Sequence, residues 1–228
     1  MDGAMSGKIE EKLNERILSI VDAVVEMFPV NLSGARMDDP FQALVAIILS
    51  QKTNTKNVQA AMKRFKKRFS SVEDVASASL KSIQDAIRPA GLWKTKARRI
   101  KLIARQLAEK GESLVDILTL PYEEAKMALS SLDGVGPKTA DVFLMFVRGD
   151  PVLPIDTHIF RVMKRLGIAS EKDGYEILRS KLESAVRPER RMLAHLALIE
   201  FGRKICKARN PICEECPFSR TCPSSRAT

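Results

Sequence analysis

The turn at residues 132–140, LDGVGPKTA, constrains the fold of this chain more than any other stretch. Residues 122–131 before it are helical in composition, and apolar residues recur at helical spacing after it, from Ala140 to Val147. Pro137 suits the first position of a helix, because the N–H that proline lacks has no partner there. The pattern therefore predicts two helices joined by a tight hairpin, with the second helix beginning at Pro137.

The residues of this turn also predict a ligand. Gly134 and Gly136 allow a sharp bend and a close approach of the backbone, and the N–H groups at a helix start attract anions, above all phosphate. Lys138 would be the second residue of the helix, where the helix dipole opposes a positive charge and favours the neutral, nucleophilic amine. A lysine that contacts phosphate as a cation is the alternative.

The charge balance agrees with a polyanionic partner. The chain has 38 Lys and Arg against 28 Asp and Glu, a net charge of +10, which is typical of nucleic-acid binders and also of ordinary basic proteins. Aromatic residues make up only 5%, which argues against a stacking platform for single strands. With neither a signal-like N-terminus nor an apolar run of membrane length, we expect a soluble intracellular protein.

The rest of the chain predicts an all-α fold. There is no sustained alternation of apolar and polar residues of the kind that strands require. Apolar residues instead fall at helical intervals over 9–27, 41–50, 58–69, 80–87, 97–107, 157–166, 175–185 and 192–205.

All four cysteines lie near the C-terminus, in the pattern C-x6-C-x2-C-x5-C: Cys206, Cys213, Cys216 and Cys222. Disulfides are disfavoured in an intracellular protein. A zinc site usually pairs its ligands in short knuckles, and only Cys213 and Cys216 are so spaced. A four-thiolate iron–sulfur cluster suits a longer wrap of chain, so the spacing modestly favours a cluster and leaves zinc open.

A third motif, PIDTHIFRV at residues 154–162, predicts another helix start. Pro154 holds the preceding chain extended, and Asp156 is a natural N-cap. A plain cap is the commoner role of such an aspartate, but a rigid carboxylate is also suited to stabilising developing positive charge. Because one helix and a short loop separate Lys138 from Asp156, we expect the two helix starts to face one cleft.

Taken together, the three motifs resemble the endonuclease III family of DNA glycosylases, over residues 39 to 222. The resemblance implies two helical lobes with a DNA groove between them. One is a six-helix lobe at 39–155, with the hairpin at about 122–148. The other is discontinuous, built from 9–38 and 156–228, and ends in a cluster loop at 206–222.

The resemblance also assigns residues. It makes Lys138 and Asp156 catalytic and gives the four cysteines a [4Fe–4S] cluster. Gln51, in LSQKT, would fill the gap left by a flipped nucleotide, and Leu92, in GLWKTKA, would wedge the opposite strand, although Gln51 as a turn cap and Leu92 as ordinary loop packing are alternatives. The remaining implied DNA contacts are Gly134, Val135, Gly136 and Thr139.

The implied function is base-excision repair of damaged duplex DNA by a monomeric enzyme. It would be a bifunctional DNA N-glycosylase and apurinic/apyrimidinic lyase acting by β-elimination, with oxidised pyrimidines such as thymine glycol as substrates and a monovalent cation at the hairpin. A monofunctional mismatch glycosylase of the same superfamily would lack a lysine at position 138, and a non-catalytic iron–sulfur DNA-binding module would lack Lys138 or Asp156. Asp133, Pro137 and Asn54 depart from the family pattern and leave the substrate range open.

Overall fold

The chain is all-helical over the residues that the computed structural model describes, which are 2–33, 36–111 and 113–227. These residues form twelve α-helices and no strand, so the predicted all-α fold is confirmed. Two short 3₁₀ helices, Arg88–Ala90 and Pro188–Arg190, interrupt the sequence of α-helices. The α-helices are α1 (Asp2–Met27), α2 (Pro40–Ser50), α3 (Thr55–Arg68), α4 (Val72–Ser77), α5 (Leu80–Ile87), α6 (Trp93–Lys110), α7 (Leu114–Thr119), α8 (Tyr122–Ser130), α9 (Pro137–Val147), α10 (Thr157–Arg165), α11 (Tyr175–Ala185) and α12 (Arg191–Lys204).

The helices belong to two units, each with its own core. We call Gly34–Asp150 the hairpin unit, and Met1–Ser33 together with Pro151–Thr228 the cysteine unit. The described residues of the hairpin unit form eight α-helices, α2 to α9, where the sequence predicted six. The two additional helices, α4 and α7, are six residues long, less than two turns, which is too short to give a helical repeat.

The hairpin unit is organised around α2, whose side chains are buried from Phe41 to Val45 and from Ile47 to Leu49. Asp39 starts this helix by accepting a hydrogen bond from the Gln42 N–H at 2.9 Å. Leu44 and Ile48 are fully buried and belong to the same apolar core as residues of α9. The C-terminal end of α2 and the N-terminal end of α9 are therefore fixed to one rigid core.

The cysteine unit packs α1, α10, α11 and α12 around a second core, which includes the fully buried Ile17, Ile159 and Leu198. The close approach of α10 and α12 depends on Gly202, where an added Cβ would lie 2.9 Å from the Cβ of His158. No helix in the described part of the chain is long and apolar enough to cross a membrane.

Candidate active site

The hairpin turn between α8 and α9 is anchored by two buried side chains. Leu132 is 2% exposed and Val135 is 3% exposed, and the Val135 N–H donates to the Leu132 carbonyl at 3.0 Å. Gly134 lies between them with φ of +76°, a left-handed conformation that favours glycine. The glycine tip is thus exposed to solvent while its flanks are held in the core.

Helix α9 begins at Pro137, as the sequence predicts. No side chain of the described residues caps this helix start, whose N-cap residue is Gly136. The Gly136 carbonyl accepts from the N–H groups of Thr139 at 2.8 Å and Ala140 at 3.0 Å. An uncapped helix start beside an exposed glycine is well suited to binding an anion such as phosphate.

The predicted hairpin residues differ in what they present to a ligand. Lys138 is exposed in the first turn of α9. Gly134 and Gly136 are exposed as well. The side chains of Val135 and Thr139 are buried, so these two residues can offer only backbone groups to DNA.

A buried polar cluster that sequence reasoning missed joins the two helices of the hairpin. Asp141 on α9 has a fully buried side chain and accepts from the Tyr122 hydroxyl at 2.6 Å. Its other oxygen lies 3.4 Å from the Lys126 ammonium, and both partners come from α8. This cluster fixes α9 against α8 one turn after Lys138. A charged residue inside the apolar run ADVFLMFV was the available signal.

The predicted DNA-inserting residues, Gln51 and Leu92, lie in two loops of the hairpin unit. Leu92 precedes α6 in a left-handed conformation, with φ of +47°, and its side chain is 57% exposed. Lys52 is also left-handed, with φ of +51°, directly after Gln51. Such strain in residues other than glycine costs about 1–3 kcal/mol and clusters at functional sites. An exposed Leu92 side chain is accessible to a partner, and its role as a wedge stays a prediction.

Lys96 ties these two loops together. It is only 4% exposed, and its ammonium donates to the Leu49 carbonyl at 2.8 Å and the Ala90 carbonyl at 2.9 Å. Burial lowers the pKa of Lys96. Sequence reasoning missed this residue, although it falls on the buried face of α6 at helical spacing from Ile100 and Ile103.

Asp156, in the cysteine unit, is the N-cap of α10, as predicted. Its Oδ1 accepts from the N–H groups of His158 and Ile159, both at 2.8 Å. Both bonds end on Oδ1, so the cap does not use Oδ2.

The pKa of His158, two residues after Asp156, is lowered by burial. The charges of Arg161 and Arg203 lower this pKa further, and the charge of Asp156 opposes them.

The extended segment that leads to Asp156 is held at three points by side chains of α11 and α12. Glu183 accepts from the Leu153 N–H at 2.7 Å, and Arg191 donates to the Pro151 carbonyl at 2.6 Å. His195, which is 3% exposed, bonds through Nδ1 to the Pro154 carbonyl at 2.8 Å. Because a carbonyl only accepts, this nitrogen carries the proton. Asp156 is thus presented by a fixed segment.

The four cysteines are half-buried free thiols that line one cavity with the apolar Leu166, Phe201 and Ile205. Arg165 donates to the Cys206 sulfur at 3.4 Å. Burial raises the pKa of Cys216 against the opposing effect of a backbone hydrogen bond from Phe218, and the charges of the neighbouring cysteines raise it further. Within the described residues, no three His, Cys, Asp or Glu side chains form a group that could hold a single metal ion.

Comparison with known proteins agrees with this arrangement. Residues 45–188 match the family model of the HhH-GPD superfamily base excision DNA repair protein. Endonuclease III of Thermotoga maritima is 32% identical over 204 residues, which cover 87% of this chain and 88% of that protein. Endonuclease III of Bacillus subtilis is also 32% identical and covers 89% of each chain. This chain belongs to the endonuclease III family.

A solved member of the endonuclease III family has a similar fold. It is a trapped endonuclease III–DNA covalent intermediate, with a TM-score of 0.80 and 30% identity over 92% of this chain and 96% of that one. The sequence prediction of a DNA base-excision repair enzyme is confirmed by membership of this family. The roles of Lys138, Asp156 and the other site residues stay predictions.

Proposed function

We propose that this chain is a bifunctional DNA N-glycosylase and apurinic/apyrimidinic lyase that acts on damaged bases in duplex DNA. The observation that carries the proposal is an exposed lysine, Lys138, in the first turn of α9 directly after the glycine turn. A monofunctional glycosylase has no need of an amine there. Two similar solved structures are complexes of endonuclease III with DNA, one covalent and one non-covalent, which supports DNA as the partner.

The amine of Lys138 attacks C1′ of the damaged nucleotide as the base departs with the electrons of the N-glycosidic bond. The Asp156 carboxylate stabilises the positive charge that develops on the sugar and helps keep the amine neutral. The sugar ring then opens to a Schiff base on Lys138. Loss of the C2′ proton expels the 3′ phosphate by β-elimination, which cuts the strand. This scheme requires both residues to act on the same sugar.

The damaged base must leave the stack, because C1′ cannot be reached inside the duplex. Leu92 wedges into the opposite strand and Gln51 fills the gap, and together they offset the cost of unstacking. The backbone at Gly134 and Gly136 binds a phosphate without reading sequence. Oxidised pyrimidines such as thymine glycol are the expected substrates, and because the substrate is cellular DNA, we expect the enzyme to act inside the cell.

We further propose that Cys206, Cys213, Cys216 and Cys222 hold a [4Fe–4S] cluster, because four thiols of one loop line one cavity with apolar walls. When bound, the cluster organises the loop and takes no part in removing the base. The loop at 206–222 also carries the exposed Arg209 and Arg220, which support a contact with the phosphate backbone. A monovalent cation at the hairpin stays a prediction from the family resemblance.

The lyase assignment is tested by borohydride reduction on a duplex with an abasic site, which traps the Schiff base as a stable protein–DNA adduct. We expect Lys138→Gln to abolish trapping and strand cutting. Lys81→Gln is the matched control, since it removes the same charge from an exposed position on α5. A Lys138→Gln protein that traps as well as the control would refute the lyase assignment. Base release without trapping by the unchanged protein would identify a monofunctional glycosylase.

The role of Asp156 is tested with Asp156→Asn, because asparagine keeps the helix cap and removes the charge. We expect DNA binding to persist and base removal to be lost. The matched control is Asp39→Asn, which makes the same change at the cap of α2. If both variants turn over equally, Asp156 is only a cap.

The cluster proposal is tested by the colour and metal content of the purified protein. We expect a brown protein that absorbs visible blue light and contains four irons per chain, the stoichiometry of the cluster. A colourless protein that contains zinc would contradict the proposal.

A further inference from the structure

One face of α6 supports both the hairpin turn and the Gln51 loop. Gln106 on this helix accepts from the Asp133 N–H, in the turn, at 2.8 Å. Two turns earlier on the same face, Arg99 donates through Nη1 to the Gln51 side-chain oxygen at 2.9 Å. Arg99 is half-buried. It therefore lies between the residue proposed to fill the DNA gap and the turn proposed to bind phosphate.

The contact of Arg99 with the turn is close. A Cβ added to Gly134 would overlap the Arg99 side chain, coming 2.7 Å from its Cδ and 3.0 Å from its Cγ. Atoms of the arginine stem therefore rest directly on the glycine backbone. Glycine is favoured at position 134 by its positive φ, and any larger residue there would require the Arg99 side chain to move.

The hydrogen bond to Arg99 fixes which way the Gln51 amide points. A guanidinium has donors and no acceptor, so the amide oxygen must face Arg99 and the amide NH2 must face away from it. A free glutamine side chain samples both amide orientations and several rotamers, and fixing one of them costs entropy. Because Arg99 already holds Gln51 in one orientation, this entropy is lost before DNA binds.

We propose that Arg99 is a positioning residue that holds Gln51 ready to enter the gap left by the evicted base. The inference rests on the proposed function, since it assumes that Gln51 fills that gap. Arg99 acts through Gln51, and its contribution is largest when a stacked base must be removed. It matters less at an abasic site, where no base has to leave the stack.

The test compares Arg99→Gln with Arg98→Gln, which removes the same charge from the exposed neighbouring position on α6. The substrates are two duplexes, one with thymine glycol and one with a preformed abasic site. On the first we measure single-turnover base release, and on the second the rate of borohydride trapping. We expect Arg99→Gln to slow base release about tenfold, which corresponds to about 1.4 kcal/mol, and to change trapping less than about twofold. Arg98→Gln should change both rates less than about twofold.

A double variant separates positioning from charge. If Arg99 acts through Gln51, Gln51→Ala combined with Arg99→Gln releases base at the same rate as Gln51→Ala alone. Additive effects, or equal base release by Arg99→Gln and Arg98→Gln, would overturn the proposal. Full base-release activity of Gln51→Ala would also overturn the proposal for Arg99. That result would not affect the assignment of the chain as a glycosylase. Failure of the unchanged protein to release any base would instead refute the proposed function.

Discussion

Replacing Gly134 with alanine tests the structure of the hairpin turn quantitatively. The new Cβ meets two penalties, the left-handed backbone at φ of +76° and the overlap with Arg99. The backbone penalty for a residue other than glycine is about 1–2 kcal/mol. Displacing Arg99 also breaks its half-buried hydrogen bond to Gln51, which contributes about 1 kcal/mol. We therefore expect Gly134→Ala to lower the free energy of unfolding by about 2–3 kcal/mol.

Gly111→Ala is the matched control, because Gly111 has a similar φ of +62° but nothing within 4 Å of an added Cβ. It should show only the backbone penalty, so the two variants should differ by about 1 kcal/mol. Shortening the Arg99 side chain should abolish this difference. In an Arg99→Ala background, Gly134→Ala should therefore lower the free energy of unfolding no more than Gly111→Ala does.

The assay is urea unfolding followed by tryptophan fluorescence. Trp93 is the single tryptophan of the chain and lies in α6, so its emission reports on the hairpin unit. Comparing variants of one unit by one probe avoids assuming that both units unfold together. Equal losses of stability for Gly134→Ala and Gly111→Ala would refute the contact between Arg99 and the turn.

Three further outcomes follow from the described contacts. Leu92→Asn should raise the free energy of unfolding by about 0.5–1 kcal/mol, because asparagine tolerates the left-handed backbone. The same variant should release base more slowly. A lower free energy of unfolding would refute backbone strain at this position. Lys96→Met should lower the unfolding free energy by about 2–3 kcal/mol, because it leaves the buried Leu49 and Ala90 carbonyls without their donor, and a loss below about 0.5 kcal/mol would contradict this. The pKa of His158 is lowered in the folded protein, so the unfolded chain binds a proton at this residue more readily. The free energy of unfolding therefore decreases as the pH falls from 6.5, the ordinary pKa of histidine, through the folded-state pKa. Calorimetry at pH 7 and pH 5 should find that His158→Gln loses less stability between the two pH values than the unchanged protein.

The helix starts were predictable from the sequence because their chemistry is local. Pro137 sets its own φ, and Asp156 caps the N–H groups of residues two and three positions on, so neither depends on distant parts of the chain. The short helix α4 also carried a local signal, the capping box of Ser71 and Asp74, although its six residues are too few for periodicity.

Side chains that act over long sequence distances were not predictable in the same way. Arg98 and Arg99 are adjacent and chemically identical, and only the packing of α6 directs one of them to Gln51, 48 residues earlier in the chain. The membership of Lys138 and Asp156 in a single reaction was likewise inferred from family resemblance, because spacing alone left a phosphate contact and a plain helix cap as alternatives.

The three-point attachment of the segment before Asp156 has a consequence for engineering. Each attachment joins this segment to a side chain of a later helix: Pro151 to Arg191, Leu153 to Glu183 and Pro154 to His195. The hairpin could therefore be exchanged for that of a relative without redesigning the approach to the carboxylate. Adding or removing one amino acid between Pro151 and Pro154 would instead change the spacing of these attachments, so grafts should be joined ahead of Pro151.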